Sequence, residues 1–529
     1  MEIRCRQLLL IILTLAASGC SLVYSEPPIF VPPIGHTPTA ADPKTPTAVA
    51  AYIPETTEVE VEPTSPPIQA ASPVPQPTET LVPTPDVELE PIVYQTQAGD
   101  TLDVVATHFG VRKDQIKFEG TLPENSFINP GTQLVIPQVL INTTSGVHLL
   151  PDSEFVNSRA VSDSDFPKDL IAFVEEAGGY LSRPREYDHS MLTSGAEIVL
   201  QIAENNSINP YLLLALLEYE SHWVFGEPQN LAELKYPMGH IKFEDEGLVN
   251  QLRWAVNQLS IGYYGWREGR LTEIYLGDDR SSENVTARID PTLNAGTVAL
   301  QYYFSRHYES EDWILALDEN AGFLATYRSM FGSPANRQEY EPLFSYDLNQ
   351  PEMILPFTPG TVWNYTGGPH GAWEGEGSWS AIDFAPSGFS GGCSQSYAYV
   401  TASAPGLVIK AENAIVELDL DGDGDTRTGW VLLYLHIAEN GMRVEEGDWV
   451  QPGDKLGHPS CEGGIATGTH VHMARKYNGE WMAANGPIAF VLSGWTAHNG
   501  GKPYAGTLTK DGTTINASPF SAPGSQISR

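Results

Sequence analysis

A chain of 529 residues exceeds what one hydrophobic core organises, since cores stop growing near about 250 to 300 residues, so several modules are expected. The 29 Lys plus Arg stand against 66 Asp plus Glu, a formal charge of -37 that excludes an electrostatic hold on nucleic acid or anionic lipid. An apolar fraction of 41% is that of a soluble protein, whereas 41 prolines and 48 glycines call for long linkers and a turn-rich domain.

Arg4 and Arg6 precede an apolar run from Leu8 to Ala17 that is too short to span a bilayer, the pattern of an export signal over residues 1–19. Its end, Ala17-Ser18-Gly19-Cys20, resembles the lipobox of bacterial lipoproteins, which implies diacylglycerol on the Cys20 thiol. Plain secretion with cleavage nearby is the alternative. The expected place is extracytoplasmic, on the bacterial cell membrane through the lipid alone. Segment 20–90 is dominated by Pro, Thr, Val, Glu and Ala without helical or strand period, and is expected to be a semi-rigid, extended spacer.

Residues 91–138 open with Tyr94-Gln95-Thr96-Gln97-Ala98-Gly99-Asp100-Thr101-Leu102 and close with Asn129-Pro130-Gly131-Thr132-Gln133-Leu134-Val135-Ile136-Pro137, both strand-like at their outer ends. Between them Leu102, Val105, Ala106 and Phe109 recur at helical spacing behind a cap at Asp100 or Thr101. The whole segment resembles a LysM module. The resemblance implies a small α+β fold, β-α-α-β, that binds glycans rich in N-acetylglucosamine through Gly99, Asp100, Thr101 and Leu102 on one loop and Asn129, Pro130 and Gly131 on another. A module that only spaces the chain is the alternative.

A second linker over 139–164, rich in Ser, Asp and Asn, leads to a helical domain over 165–335. Helices are expected from Ala196 to Ala203 and from Pro210 to Trp223, with Pro210 at a helix start where its missing N–H costs nothing. The phrase Asn209-Pro210-Tyr211-Leu212-Leu213-Leu214-Ala215-Leu216-Leu217-Glu218-Tyr219-Glu220-Ser221-His222-Trp223 resembles the catalytic helix of soluble lytic transglycosylases. That implies an all-α, lysozyme-like fold with Glu220 as the acid that protonates a glycosidic oxygen, its pKa raised by desolvation. The Gly-Leu-Met-Gln segment of that family is missing here, so a glycan-binding or structural remnant stands beside the catalytic reading.

From about Met353 short β-branched and aromatic runs alternate with Gly, Pro, Asn and Asp, as in a mainly antiparallel β domain, placed at 350–520. Its sharpest signal is Gly468-Thr469-His470-Val471-His472-Met473, because residues two apart on a strand face the same side. His436 ends the apolar run Trp430 to Leu435, His370 stands in Gly367-Gly368-Pro369-His370, and Asp383 lies in Ser380-Ala381-Ile382-Asp383-Phe384-Ala385. In this order the segments resemble the lysostaphin-type zinc metallopeptidases that act on peptidoglycan, the β-lytic branch most closely.

Carried over, the zinc ligands are His370, Asp383 and His472, and His470 and His436 line the open position, His470 as proton acceptor and His436 as oxyanion stabiliser or the two roles exchanged. Many members of that family place the first ligand four residues before the aspartate. Trp379 occupies that position here, and His370 takes its place from thirteen residues upstream. Two imidazoles and a carboxylate leave room for water, the pattern of a catalytic zinc. His458 and His498 lack such context.

Of four cysteines, Cys5 goes with the signal and Cys20 to lipid. Cys393 and Cys461 are expected to form a disulfide in an oxidising compartment, since a zinc thiolate pair lacks a Cys-x-x-Cys spacing. Asp419 to Asp425 alternates carboxylates like a calcium loop, but Trp430 stands where a bidentate glutamate is needed, so a solvated hairpin is favoured. The expected activity is zinc-dependent hydrolysis of amide bonds in peptidoglycan, with no nucleic-acid partner and no protein partner implied. A transglycosylase acting through Glu220 and a non-catalytic glycan-binding scaffold are the alternatives.

Overall fold

The computed structural model describes residues 89–529 apart from 122–125, 164, 189–190, 277–284, 374 and 389–391. The export signal, Cys20 and the spacer up to residue 88 lie outside the described residues. No helix among the described residues is long and apolar enough to cross a membrane.

Strand Ile92–Gln95 pairs antiparallel with Gln133–Ile136, which also pairs with Lys117–Phe118, giving a three-stranded sheet. Helix Leu102–Phe109 is capped by Thr101, whose side chain accepts from Val104 N, while Asp100 sits one residue before the cap. Where a second helix was expected, a 3-10 turn at Lys113–Gln115 and the short strand stand instead. Gly110 and Gly120 flank that stretch at φ of 67° and 91°, and left-handed residues interrupt helix growth.

The stretch 139–164 is not a plain linker. It carries helices Asp152–Phe155 and Arg159–Asp163, with Phe155 and Val156 fully buried and the Glu154 carboxylate paired with Arg337 at 2.8 Å. Helices Leu170–Ala177, Gly195–Asn206, Pro210–Ser221, Leu248–Arg267, Ala295–Ser305 and Phe323–Phe331 follow. Pro210–Ser221 is apolar on every side over its first eight residues, and all eight are buried, which makes it the central helix. The region is not all-α, for it holds two hairpins, Arg185–Asp188 with Met191–Ser194 and Glu273–Leu276 with Val285–Arg288. In Glu273–Leu276 burial alternates with period two, Ile274 and Leu276 inward, which a helix does not tolerate.

The last region is built on a nine-stranded antiparallel sheet. Its path runs Trp449–Val450, Gly406–Glu412, Ile415–Asp419, Trp430–Leu435, Val471–Tyr477, Trp379–Pro386, Val362–Gly371 and Gln526–Ser528, with Glu480–Trp481 added on Val471–Tyr477. Because Gln526–Ser528 completes this sheet, the domain runs past residue 520 to the end of the chain. Leu432 and Tyr434 face a core with Met473, Ile382 and Val416, whereas Leu433 and Leu435 pack with Ala474, Ala381 and Ile415 into the core of the helical region. The sheet is therefore buried on both faces.

Candidate metal centre

Three neighbouring strands assemble the centre. The register pairs His472 with Asp383 and Leu435 with His472, while His370 lies opposite Ala381 on the next strand out. Ligand atoms of His370, Asp383 and His472 fall within 4.8 Å of one another, and all three residues are buried. Gly367 lies opposite Asp383, and a Cβ there would overlap the carboxylate, so only glycine fits.

The hydrogen bonds fix the tautomers. His370 Nδ1 lies 2.7 Å from the Gly368 carbonyl and His472 Nε2 lies 2.9 Å from the Ala372 carbonyl, and each nitrogen must carry its proton to bond a carbonyl. The other nitrogens, His370 Nε2 and His472 Nδ1, then face each other as lone pairs 3.1 Å apart. Asp383 Oδ1 stands 3.3 and 3.2 Å from them, buried and without a hydrogen-bond donor. Three lone pairs meeting at one buried point call for a cation, and this donor set fits a zinc ion with an open coordination position. The electrostatics favour bare nitrogens at His436 and His472, and at His370 a cation or a proton beside Asp383. Burial lowers the His370 pKa but the Asp383 carboxylate outweighs it and raises it, whereas burial pushes His436 down to about 3 and also lowers His472.

His470 and His436 flank this point. His470 Nε2 lies 3.8 Å from Asp383 Oδ1, and its ring is 4.5 Å from that of His436. Each has its Nδ1 on a carbonyl, Gly468 for His470 and Glu462 for His436, both at 2.7 Å, so each presents a lone pair at Nε2. The expected oxyanion-donor role of His436 would need a proton at that Nε2; as placed, it is an acceptor. Its backbone is left-handed at φ 67°, a conformation that strains a non-glycine residue and turns the ring inward from the strand end.

Cys393 and Cys461 form a disulfide with Cα atoms 5.7 Å apart. It joins the loops that carry these histidines: Ser460 N donates to His436 O, His470 N to Ser460 O and Thr469 N to Gly392 O.

One residue at the centre carried no sequence signal. Tyr504 stacks on His370 with ring centres 4.0 Å apart and planes at 21°, while 58% of it stays exposed. It lies in the turn between strands Trp495–Asn499 and Gly506–Lys510, beyond every matched motif, and its bridge to Gly368 and its N–H bond to the Pro369 carbonyl bring it here.

The other candidate residues lie elsewhere. The Glu220 side chain is 3% exposed. Its oxygens accept from Tyr308 Oη at 2.9 Å and Tyr303 Oη at 3.3 Å, and His307 Nε2 lies 2.9 Å from one of them while its Nδ1 bonds the Tyr303 carbonyl. A carboxylate enclosed in this way braces the residues around it, and its oxygens are engaged by those neighbours. Asp100 accepts from Tyr94 Oη at 2.7 Å and Gln97 N at 2.8 Å, so it braces its own loop. Gly99 and Thr101 line a cavity of about 550 Å³ with Tyr264, Trp481 and His498, and Asn129 lines a neighbouring one. Asp419, Asp421 and Asp423 cluster, but the Asp419 carboxylate accepts from Asp421 N and Gly424 N within its own hairpin.

The family model described as LasA, N-terminal domain, matches residues 148–343, which span the helical region. Protease LasA of Pseudomonas aeruginosa (strain UCBPP-PA14) is 28% identical over 340 residues, 61% of this chain and 74% of that protein. Beta-lytic metalloendopeptidase of Achromobacter lyticus is 27% identical over 159 residues, 29% of this chain and 39% of that protein. A solved structure described as a novel M23 metalloprotease, pseudoalterin, from deep sea is 24% identical, with a TM-score of 0.28 over 32% of this chain and 96% of that one. The chain is a metallopeptidase. Within that class the similarities support the LasA-like family, in which LasA and the β-lytic enzyme stand as relatives.

Proposed function

We propose that this protein is a zinc endopeptidase of the bacterial cell wall, hydrolysing amide bonds in peptidoglycan stem peptides or cross-bridges. The observation that carries the reading is the convergence of three buried ligand atoms, from His370, Asp383 and His472, with the imidazoles of His470 and His436 beside them, each His held on a backbone carbonyl through its other nitrogen. A zinc ion bound there supplies Lewis acidity towards a carbonyl oxygen and acidifies water. The chain's own part is proton transfer. His470, held by Gly468 with Nε2 free, accepts a proton from the attacking water at Nε2 and returns it to the amine nitrogen as the C–N bond breaks. His436 offers a second acceptor on the same side.

Export, a lipid on Cys20 and a spacer of Pro and Thr would place the enzyme outside the membrane and within reach of the wall. The LysM-like module would add glycan contacts and so raise the effective substrate concentration. The test is incubation of the lipid-free protein with peptidoglycan, assaying new amino termini and new reducing ends. New amines that vanish in His472→Ala support the reading. Sugar ends alone, lost in Glu220→Gln, would reverse it in favour of a transglycosylase.

A further inference from the structure

The turn that joins strands Val362–Gly371 and Trp379–Pro386 carries the Ala372 carbonyl, which receives the Nε2 proton of His472 at 2.9 Å. This bond sets which nitrogen of His472 is left to bind a cation. Yet the turn contains Gly371, Gly375 and Gly377, and a segment so rich in glycine has little conformational preference of its own. Within the domain Ala372 N donates to the Ser378 carbonyl at 3.1 Å and Gly371 pairs with Trp379, and further anchors on the turn come from the helical region. Asn257 Oδ1, on helix Leu248–Arg267, accepts from Glu376 N at 2.9 Å. Arg270 donates to the Gly377 carbonyl at 3.0 Å and lays its guanidinium over the Trp379 ring at 4.7 Å, while Glu268 accepts from Trp379 N at 3.3 Å. The approach is backbone-close: a Cβ on Gly377 would fall 2.5 Å from Ser260 Cβ. Ala372 itself is counted in the core of the helical region.

We infer that Asn257 and Arg270 of the helical region are positioning residues for the metal centre, holding the turn so that the Ala372 carbonyl fixes His472 in its metal-binding tautomer. The helical region thereby acts on the metal's affinity through the turn, without touching the ion. This inference rests on the reading of His370, Asp383 and His472 as a metal site.

The experiment uses the full chain and measures zinc affinity by chelator competition, together with the visible spectrum of the Co²⁺-loaded protein. Asn257→Ala removes the anchor from the helix side. Gly377→Ala pushes the turn away from Ser260 without demanding a left-handed backbone. Asn257→Asp keeps the accepting oxygen. Loss of the group that orients a metal-binding histidine lowers metal affinity roughly 10–100-fold. The expected result is a loss of about that size in Asn257→Ala and Gly377→Ala with an altered Co²⁺ spectrum, restored to within about threefold in Asn257→Asp, while the melting temperature of the zinc-free protein stays that of wild type. Zinc affinities within twofold of wild type in both variants would overturn the inference, as would a loss that Asn257→Asp fails to restore. A wild-type chain that takes up no zinc would overturn the metal centre itself, an outcome distinct from both.

Discussion

A histidine declares its chemistry through the nitrogen it hides. In this centre four imidazoles each place one nitrogen on a backbone carbonyl, and what remains is a set of lone pairs turned inward with the Asp383 carboxylate. His472→Ala removes one of three donors, so zinc affinity should fall by more than the roughly 10–100-fold typical of an outer-shell change, and hydrolysis should vanish; chelator competition and amine release measure the two. Zinc should also raise the melting temperature of wild type in proportion to the logarithm of its free concentration, and not that of the variant. Glu220 shows the opposite use of a buried polar group. Glu220→Gln sets an amide N–H where one carboxylate oxygen accepts from a tyrosine hydroxyl, so stability should drop by about 1–3 kcal/mol in a denaturant melt, while amine release per folded molecule stays unchanged.

At the scale of elements, strand pairing does what sequence spacing only permits. His472 and Asp383 meet because Val471–Tyr477 pairs with Trp379–Pro386 in one register, and a slip of one residue would turn every side chain to the other face. The disulfide between Cys393 and Cys461 closes a loop across 68 positions and ties the segments bearing His436 and His470. Replacing both cysteines by serine should lower stability by roughly 2–4 kcal/mol. Amide exchange should rise first around Ser460 and Thr469, whose N–H or carbonyl groups form the tie, with little change in the central strands; exchange that rises evenly across the sheet would contradict this placement.

At the scale of the whole molecule, the regions share buried surface. His108 of the first module stacks on Trp266 of the helical region with ring centres 3.5 Å apart and bonds its carbonyl at 3.1 Å. Burial pushes the His108 pKa down to about 3. Below pH 6.5 the unfolded chain takes up a proton that the folded chain refuses until pH 3, so this histidine's contribution to stability falls as pH drops through that window, by about 1.4 kcal/mol per pH unit. His108→Phe should gain on wild type by that slope as pH falls from 6.5, read from urea melts at several pH values; parallel curves would place the histidine in contact with solvent.

Part of the centre was legible along the chain, because a His-x-His pair on a strand is a pattern of period two, whereas the choice of His370 and Asp383 as its companions followed from the resemblance to a peptidase family. The apolar run Trp430 to Leu435 announced a strand, but neither its burial along the whole length nor what buries it. Only the tertiary structure decided that the helical region covers the face of Leu433 and Leu435, that residues 152–163 join that region, and that Tyr504 returns to lie on His370. It also decided that the acid in the central helix is enclosed by Tyr303, His307 and Tyr308. Periodicity reports which side of an element is apolar. Which surface meets that side, and whether a carboxylate finds donors or water, depends on contacts between residues about a hundred positions apart, and these exist only once the chain has folded.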